Sequence, residues 1–588
     1  MLPAANVMLT NLISRLFSSR SPRSPEAARG AIDDLLQRGY RSQQAGERAV
    51  AENNYRDALK IDALHADAHY LLGALLGEGG NFTDAAAHLD RALAARPDFA
   101  AAHAARGNVF LMLEERQAAI ASYEQALRLD PGNAAAHCNL GLIWQAAGAS
   151  EQALLRFERA YALAPEIPDL LKNLTLSYIE FERYEEAQAL LQAVLAQTPR
   201  RIEALKCLGL VLQKLHRPQE ALQHYLTVRA IDGADAELLN NLGIVYQDLG
   251  RLEEAIAAYD AAIVLKPDFT LAIWHRSLAY LLQHDFARGW PDYELRLLGA
   301  DRRPRAVEGA NWDGGALAGK KLLVYAEQGL GDEIMFASCI PDVVAAGANC
   351  VIECSPKLEK LFRRSFPQTA VRATNPDKSL PAGAGEMDID LQSSIGSLPQ
   401  YLRRARADFP QHSGYLRADP QAVAAWRERL AALGPGLKVG ISWQGGTHKS
   451  RRPVRSMPLA QWLPILQMEG AHFVDLQYTE CRAEIDELRA ATGVTVHSWN
   501  EVRADYEQAV ALVTALDLVI SVCTAVIHLG GALGTPVWVM APYSPEWRYG
   551  IAGQEMPWYP SVRVFRQSVY GEWGAVIDDV AQSLRKMA

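Results

Sequence analysis

The stretch GNVFLMLEERQAAIASYEQALRLDP, Gly107 to Pro131, decides the fold of the first half of the chain, because its pattern returns every 34 residues. Gly73, Gly107, Gly141, Gly209 and Gly243 fall on one lattice, with Thr175 in the remaining slot. Small or apolar residues follow each lattice point at fixed distances, as in Leu76/Ala85/Leu89/Ala92, Phe110/Ala119/Tyr123/Ala126, Trp144/Ala153/Phe157/Ala160 and Tyr246/Ala255/Tyr259/Ala262. Pro97, Pro131, Pro165, Pro199 and Pro267 close the units. A helix-turn-helix unit of this length cannot bury its apolar face alone, so it stacks on its neighbours. Small residues let the paired helices approach closely, and the aromatics fill the space between repeats.

The lattice extends one unit back, through Gly39, Ala51, Tyr55 and Ala58, and one degenerate unit forward, through Ser277, Tyr280, Gly289 and Tyr293. About eight motifs are therefore expected over residues 32–299, the outer ones capping the stack. The pattern resembles tetratricopeptide repeats, which implies an all-α superhelical solenoid with a long concave surface for protein partners. Asn139, Asn173 and Asn241 each stand two residues before the lattice position. On a concave face they form a ladder of amides able to donate and accept to a peptide backbone; on a solvated face they are simply tolerated. Leu71, Ala105 and Cys207 interrupt the row.

A chain of 588 residues is too long for one core and suggests three or four domains. Its net charge of -9 argues against nucleic-acid binding, despite local basic stretches at 302–305 and 449–455. Seven cysteines without metal-type or disulfide-framework spacing suggest a reducing compartment. No apolar run reaches the roughly 18 residues of a membrane span. Residues 1–31 read as a poorly ordered leader without a secretory cleavage site, and a cytoplasmic location is expected. His65 and His69 have metal-ligand spacing but no evident third ligand, so no metal is expected.

Beyond a linker at residues 300–319 the lattice is gone. Leu322–Ala326, Cys350–Cys354, Leu437–Trp443, His472–Leu476, Val494–His497, Leu516–Val522, Val537–Ala541 and Val562–Phe565 read as strands separated by helical patterns. This alternation predicts parallel, doubly wound sheets. The stretch Tyr401–Pro435 reads as helical and separates two groups, giving Rossmann-like domains over residues 320–435 and 436–588 that face a cleft. Ligands of such sheets lie at the carboxyl ends of the strands.

Two strand-to-helix turns lie there. In the first, Gly329 and Gly331 permit a tight turn with exposed amides. As a dinucleotide fingerprint it is incomplete, since Ile334 holds the third glycine position; a ribose-binding acid would be Glu353, and Asp332 at the tip would repel a pyrophosphate. In the second, Thr524 can cap the helix and face an anionic group, with His528 on the same helical face lining the cleft. The plain alternative is that Thr524 only caps and His528 only packs. Lys449, Arg451, Arg452 and Arg455, beyond the strand Leu437–Trp443, suit a phosphate clamp or a solvated basic loop.

The segments Gln328–Phe336, Gly440-Ile441-Ser442-Trp443-Gln444-Gly445, Arg455-Ser456, His528–Trp538, Pro542–Arg548 and Pro557-Trp558-Tyr559-Pro560 together resemble GT-B glycosyltransferases of family 9, which are related to bacterial heptosyltransferases. The resemblance extends to a branch carrying N-terminal tetratricopeptide repeats. It implies transfer of a sugar from a nucleotide-sugar donor on the C-terminal side, without metal or cofactor, to an acceptor approaching from the N-terminal side. Asp332 then matches the general base, and Trp443, Lys449, Arg451, Arg455, Thr524 and His528 stand on the donor side. One departure is Cys523, where relatives commonly have Asp; a thiol supplies no fixed negative charge. The expected function is glycosylation of a protein captured by the repeats, such as flagellin or another surface protein. A non-catalytic binding scaffold with a degenerate transferase domain, and a transferase acting on lipopolysaccharide or another glycan, stay open. So does the donor, ADP-, UDP- or CMP-linked.

Overall fold

The computed structural model describes residues 26–298, 309–374, 388–446 and 452–587. The chain divides into two compact units, Met1–Arg217 and Pro218–Ala588. The leader and linker expectations fall largely outside the described residues, but the first helix starts at Glu26, ahead of residue 32.

The first unit is a series of antiparallel helix pairs: Glu26–Gln44 with Arg48–Ile61, Ala66–Glu78 with Phe82–Ala95, Ala100–Met112 with Arg116–Leu129, Ala134–Ala146 with Ser150–Leu163, and Leu170–Glu180 with Tyr184–Gln197. Ile202–Lys214 closes it. Lattice glycines are required by contact: a Cβ at Gly107 would lie 2.6 Å from Cε1 of Tyr123, and one at Gly141 would lie 2.5 Å from Cε1 of Phe157. Each aromatic therefore packs first on the glycine of its own hairpin. Between the helices of each pair, one residue adopts the left-handed region. Gly46, Gly80 and Gly148 do so at no steric cost, whereas Glu114 and Glu182 hold φ of 61° and 58°; His216, after the closing helix, holds 57°. Histidines repeat too: Nε2 of His69, His103 and His137 meets the carbonyl six residues back, at Ala63, Pro97 and Pro131. These bonds staple each first helix to the turn before it.

The second unit opens with Pro218–Asp232 and continues with the pairs Ala236–Asp248/Leu252–Leu265 and Thr270–Leu282/Phe286–Tyr293, ending in a 3-10 turn, Glu294–Leu298. Two parallel sheets follow. The first has strands β1 (Ala310–Asn311), β2 (Lys321–Tyr325), β3 (Asn349–Cys354), β4 (Ala370–Ala373) and β5 (Leu391–Ser394) in the order β1-β5-β2-β3-β4. The second has β6 (Leu437–Ser442), β7 (Ala471–Asp475), β8 (Val496–His497), β9 (Leu518–Val522), β10 (Val537–Ala541), β11 (Glu555–Met556) and β12 (Tyr559–Arg566) in the order β11-β12-β10-β9-β6-β7-β8, antiparallel only at β11. An all-α repeat region followed by an α/β module with parallel sheets is thus the fold. Strand order reverses between β2 and β5 in one sheet and between β6 and β9 in the other, so each has a crevice there.

The hairpin Thr270–Leu282/Phe286–Tyr293, which carries the eighth motif of the 34-residue lattice, is built into the α/β module. Phe286, Trp290 and Tyr293 share one apolar core with the first sheet and with Trp547 and Trp558. The Trp290 indole N–H donates to the Arg403 carbonyl at 2.8 Å and its ring meets Trp547 edge-on at 5.5 Å. The stretch Tyr401–Pro435 is only partly helical: Pro420–Ala431 is its one long helix, and residues 412–416 cross over the second sheet's helices as extended chain.

Candidate functional site

Two helix tips meet within the second unit. Leu330–Phe336 follows β2 and Ala525–Leu533 follows β9, so each begins at the carboxyl edge of its own sheet. At Gly331 a Cβ would stand 3.1 Å from Cδ2 of His528 and 3.3 Å from Cα of Ala525. The glycine here provides close approach. Neither Gly329 nor Gly331 uses a left-handed φ; Gly329 is extended at φ −84°, which corrects the expectation of a turn needing glycine's backbone freedom. Tyr415 ties the two helices together beyond their tips: its hydroxyl donates to the Ile334 carbonyl at 2.7 Å and its backbone N–H to the Ala532 carbonyl at 2.8 Å.

Asp332 lies at this junction, one-fifth exposed, with Oδ2 accepting from the Gly329 N–H at 3.3 Å. Its Oδ1 is ion-paired with Arg548. Arg548 also reaches Glu546 at 3.1 Å, and the other oxygen of Glu546 is paired with Arg455. A chain of alternating charge, Arg455–Glu546–Arg548–Asp332, therefore runs from the β6 loop through the β10 loop to the β2 turn. Burial opposes the charge on Arg548, but Asp332 and Glu546 outweigh it and hold the guanidinium protonated.

The sequence-predicted donor residues separate into groups. Arg455 is in place beside Gly445, whose carbonyl accepts from its Nε at 3.3 Å, and Arg452 donates to Gln444 at 2.6 Å. Lys449 and Arg451 lie outside the described residues. Thr524 is the N-cap residue of its helix, yet its hydroxyl meets Ser521 Oγ at 2.9 Å and caps no amide. A Cβ at Gly445 would stand 2.7 Å from Thr524 Cγ2, so the β6 and β9 loops close on each other at the switch point. Trp443 is a correction: it is wholly buried, its indole N–H donating to Glu484 at 2.8 Å, because it points into the apolar core beneath β6. His528 is another. It is 5% exposed, its Nδ1 lies 3.2 Å from the Tyr559 hydroxyl, and burial, reinforced by Arg548, pushes its pKa down to about 3. The enclosed imidazole packs against the Leu330–Phe336 helix tip and Tyr559 and is not presented to a ligand. Cys523 is buried, and burial raises its thiol to about 12, so it is no nucleophile.

The switch point of the first sheet is filled from the repeats. Arg296, in the turn after the eighth hairpin, donates to Glu327 at 2.8 Å, Ser394 at 3.0 Å and Ser397 at 2.7 Å. Gln328 donates to the Tyr293 hydroxyl at 2.9 Å. The turn bearing Asp332 is thus held by the last repeat. Glu353, offered for ribose in the dinucleotide reading, is fully buried against Arg372 at 3.1 Å and is not presented to a ligand. Arg296, Glu546 and Arg548 escaped sequence reasoning as site residues, although Glu546 and Arg548 stood inside a quoted motif.

In the repeats, Asn139 is buried and its amide donates to Asn108 at 2.9 Å and to the Tyr123 hydroxyl at 3.2 Å. It is an internal brace, which corrects its place in a peptide-binding ladder. Asn173 and Asn241 are half-buried. Among the described residues no cluster of three or more His, Cys, Asp or Glu could hold a metal, and no helix is long and apolar enough to cross a membrane. A cavity of about 650 Å³ lined by His284, Phe286, Arg404 and Arg406 shares no residue with the Asp332 junction.

Family profiles of the tetratricopeptide repeat match residues 36–98, 74–133, 104–168, 145–207 and 236–269. Over 337 residues the chain is 35% identical to Protein FlbA of Caulobacter vibrioides, covering 55% of this chain and 56% of that protein. The chain thus spans just over half the length of this relative. Among solved structures, a tetratricopeptide repeat protein from Parabacteroides merdae is 15% identical with a TM-score of 0.33, over 42% of this chain and 99% of that one. YrrB, described as a TPR protein with an unusual peptide-binding site, is 26% identical with a TM-score of 0.28, over 32% of this chain and 98% of that one.

Proposed function

We propose that the protein is a metal-independent glycosyltransferase that moves a sugar from a nucleotide-sugar donor to a protein held by its repeats, flagellin being the first acceptor to test. The observation that carries this reading is the meeting of the two helix tips, with the carboxylate of Asp332 at that junction, paired with Arg548 and linked through Glu546 to Arg455. In the reaction the acceptor oxygen attacks the anomeric carbon, its proton passes to Asp332, and the bond to the nucleotide phosphate breaks. Arg455 and Arg548 meet the charge left on that phosphate, the role a divalent cation would otherwise serve. The repeats support a protein acceptor over a small one.

The full chain, incubated with ADP-, UDP- and CMP-linked sugars, EDTA and purified flagellin, should add a sugar mass to the protein by mass spectrometry. Absence of binding or turnover of every donor would overturn the reading in favour of a scaffold. That second reading draws support from the same charges, since Asp332 and Arg455 are each neutralised internally. Transfer to lipopolysaccharide and not to protein would mark a glycan transferase.

A further inference from the structure

We propose that Arg548 is a donor-phosphate ligand held in reserve by Asp332, so that binding of a nucleoside diphosphate takes the arginine and releases the carboxylate to act as base. The inference rests on the transferase reading. Arg548, itself in the β10 loop, bridges two carboxylates by ion pairs, Asp332 of the β2 turn on one side and Glu546 of its own loop on the other. Its side chain is 14% exposed, so the guanidinium has given up most of its water and depends on these two carboxylates.

Arg548 occupies one acceptor site on Oδ1 of Asp332, beside which an acceptor hydroxyl would have to fit. A diphosphate brings several acceptor oxygens to the same guanidinium and to Arg455, whose partner is also Glu546. The four-membered chain is neutral as it stands, two cations against two carboxylates. Adding a diphosphate reassigns the cations to it and leaves Asp332 free, facing the acceptor side. No covalent step is involved in the switch. It makes binding ordered, donor before acceptor activation, and keeps the base engaged in the empty protein.

Because Asp332 and the phosphate compete for one cation, removing the competitor has an uncommon sign. Calorimetry of the full chain with ADP, UDP, GDP and CDP finds the nucleotide that binds. Asp332→Asn, close in shape, should then bind that nucleotide about 5-fold or more tightly than the parent, the scale of an ordinary coupling between sites, while transfer collapses. Glu546→Gln should also tighten binding, and Arg548→Lys should weaken it. Unchanged or weaker nucleotide affinity in both Asp332→Asn and Glu546→Gln would overturn the competition while leaving the transferase reading intact. Failure of the parent to bind any of the four nucleotides would overturn both.

Discussion

Arg296→Met isolates the contact that joins the repeats to the β2 turn. The arginine side chain is 2% exposed and the Glu327 side chain 5%, so the substitution strands a buried carboxylate. It also removes donors from Ser394, Ser397, Glu294 and the Tyr293 carbonyl. Loss of one partner of a buried pair costs about 3–5 kcal/mol. With a urea slope of about 3 kcal/mol/M, the midpoint of the second unit, followed by tryptophan fluorescence, should fall by about 1 M. The Trp290–Trp547–Trp558 cluster reports on this region directly. The partner test is Arg296→Met/Glu327→Gln, which removes the stranded charge and should recover about 2 kcal/mol of the loss relative to additivity. A midpoint within 0.3 M of the parent for Arg296→Met, a bound of roughly 1 kcal/mol on that slope, would show that the buried pair does not hold the turn.

Gly331→Ala places a methyl 3.1 Å from His528 and should push the tips apart, so transfer falls about 10-fold or more while nucleotide affinity, read by calorimetry, stays near the parent's. His528 titrates near 3 in the folded chain and near 6.5 unfolded, so its contribution to stability is complete above pH 6.5 and is lost as the pH falls toward 3. Urea midpoints at pH 7, 6, 5 and 4 should show a pH slope that His528→Gln makes shallower by up to about 1.4 kcal/mol per pH unit; an unaltered slope would refute the assignment. Asn139→Ala should destabilise the first unit by about 1–2 kcal/mol in thermal melts. Asn173→Ala should leave the melt alone and weaken capture of an acceptor protein in a pull-down titration.

Strands that are continuous apolar runs, such as Val537–Ala541 and the core of Leu516–Val522, were legible because both faces are covered by helices. β1 is two residues long, and β5 reads Leu-Gln-Ser-Ser, a polar strand whose Ser394 serves Arg296; neither carries a period to detect. The repeat lattice was legible for the same reason that it packs, a glycine under each ring. Its polar rows were not, since a buried Asn139 and an exposed asparagine look alike in sequence. The turns bearing Asp332 and Thr524 were singled out by the rule that ligands gather at strand ends, and Asp332 itself by the family resemblance. Arg548 lies 216 residues from Asp332, and no local pattern announces a pairing made only when the loops of two sheets meet.

The eighth hairpin has neighbours on both sides that it cannot change independently: the seventh hairpin and the wall of the α/β module. Growth or loss of whole repeats in descendants of this chain is therefore polar. Additions ahead of residue 218 lengthen the repeat series without touching the α/β module, whereas a duplication between Tyr293 and β1 would pull Arg296 and Trp290 out of their sockets. Lineages of this architecture should vary in length at one end only.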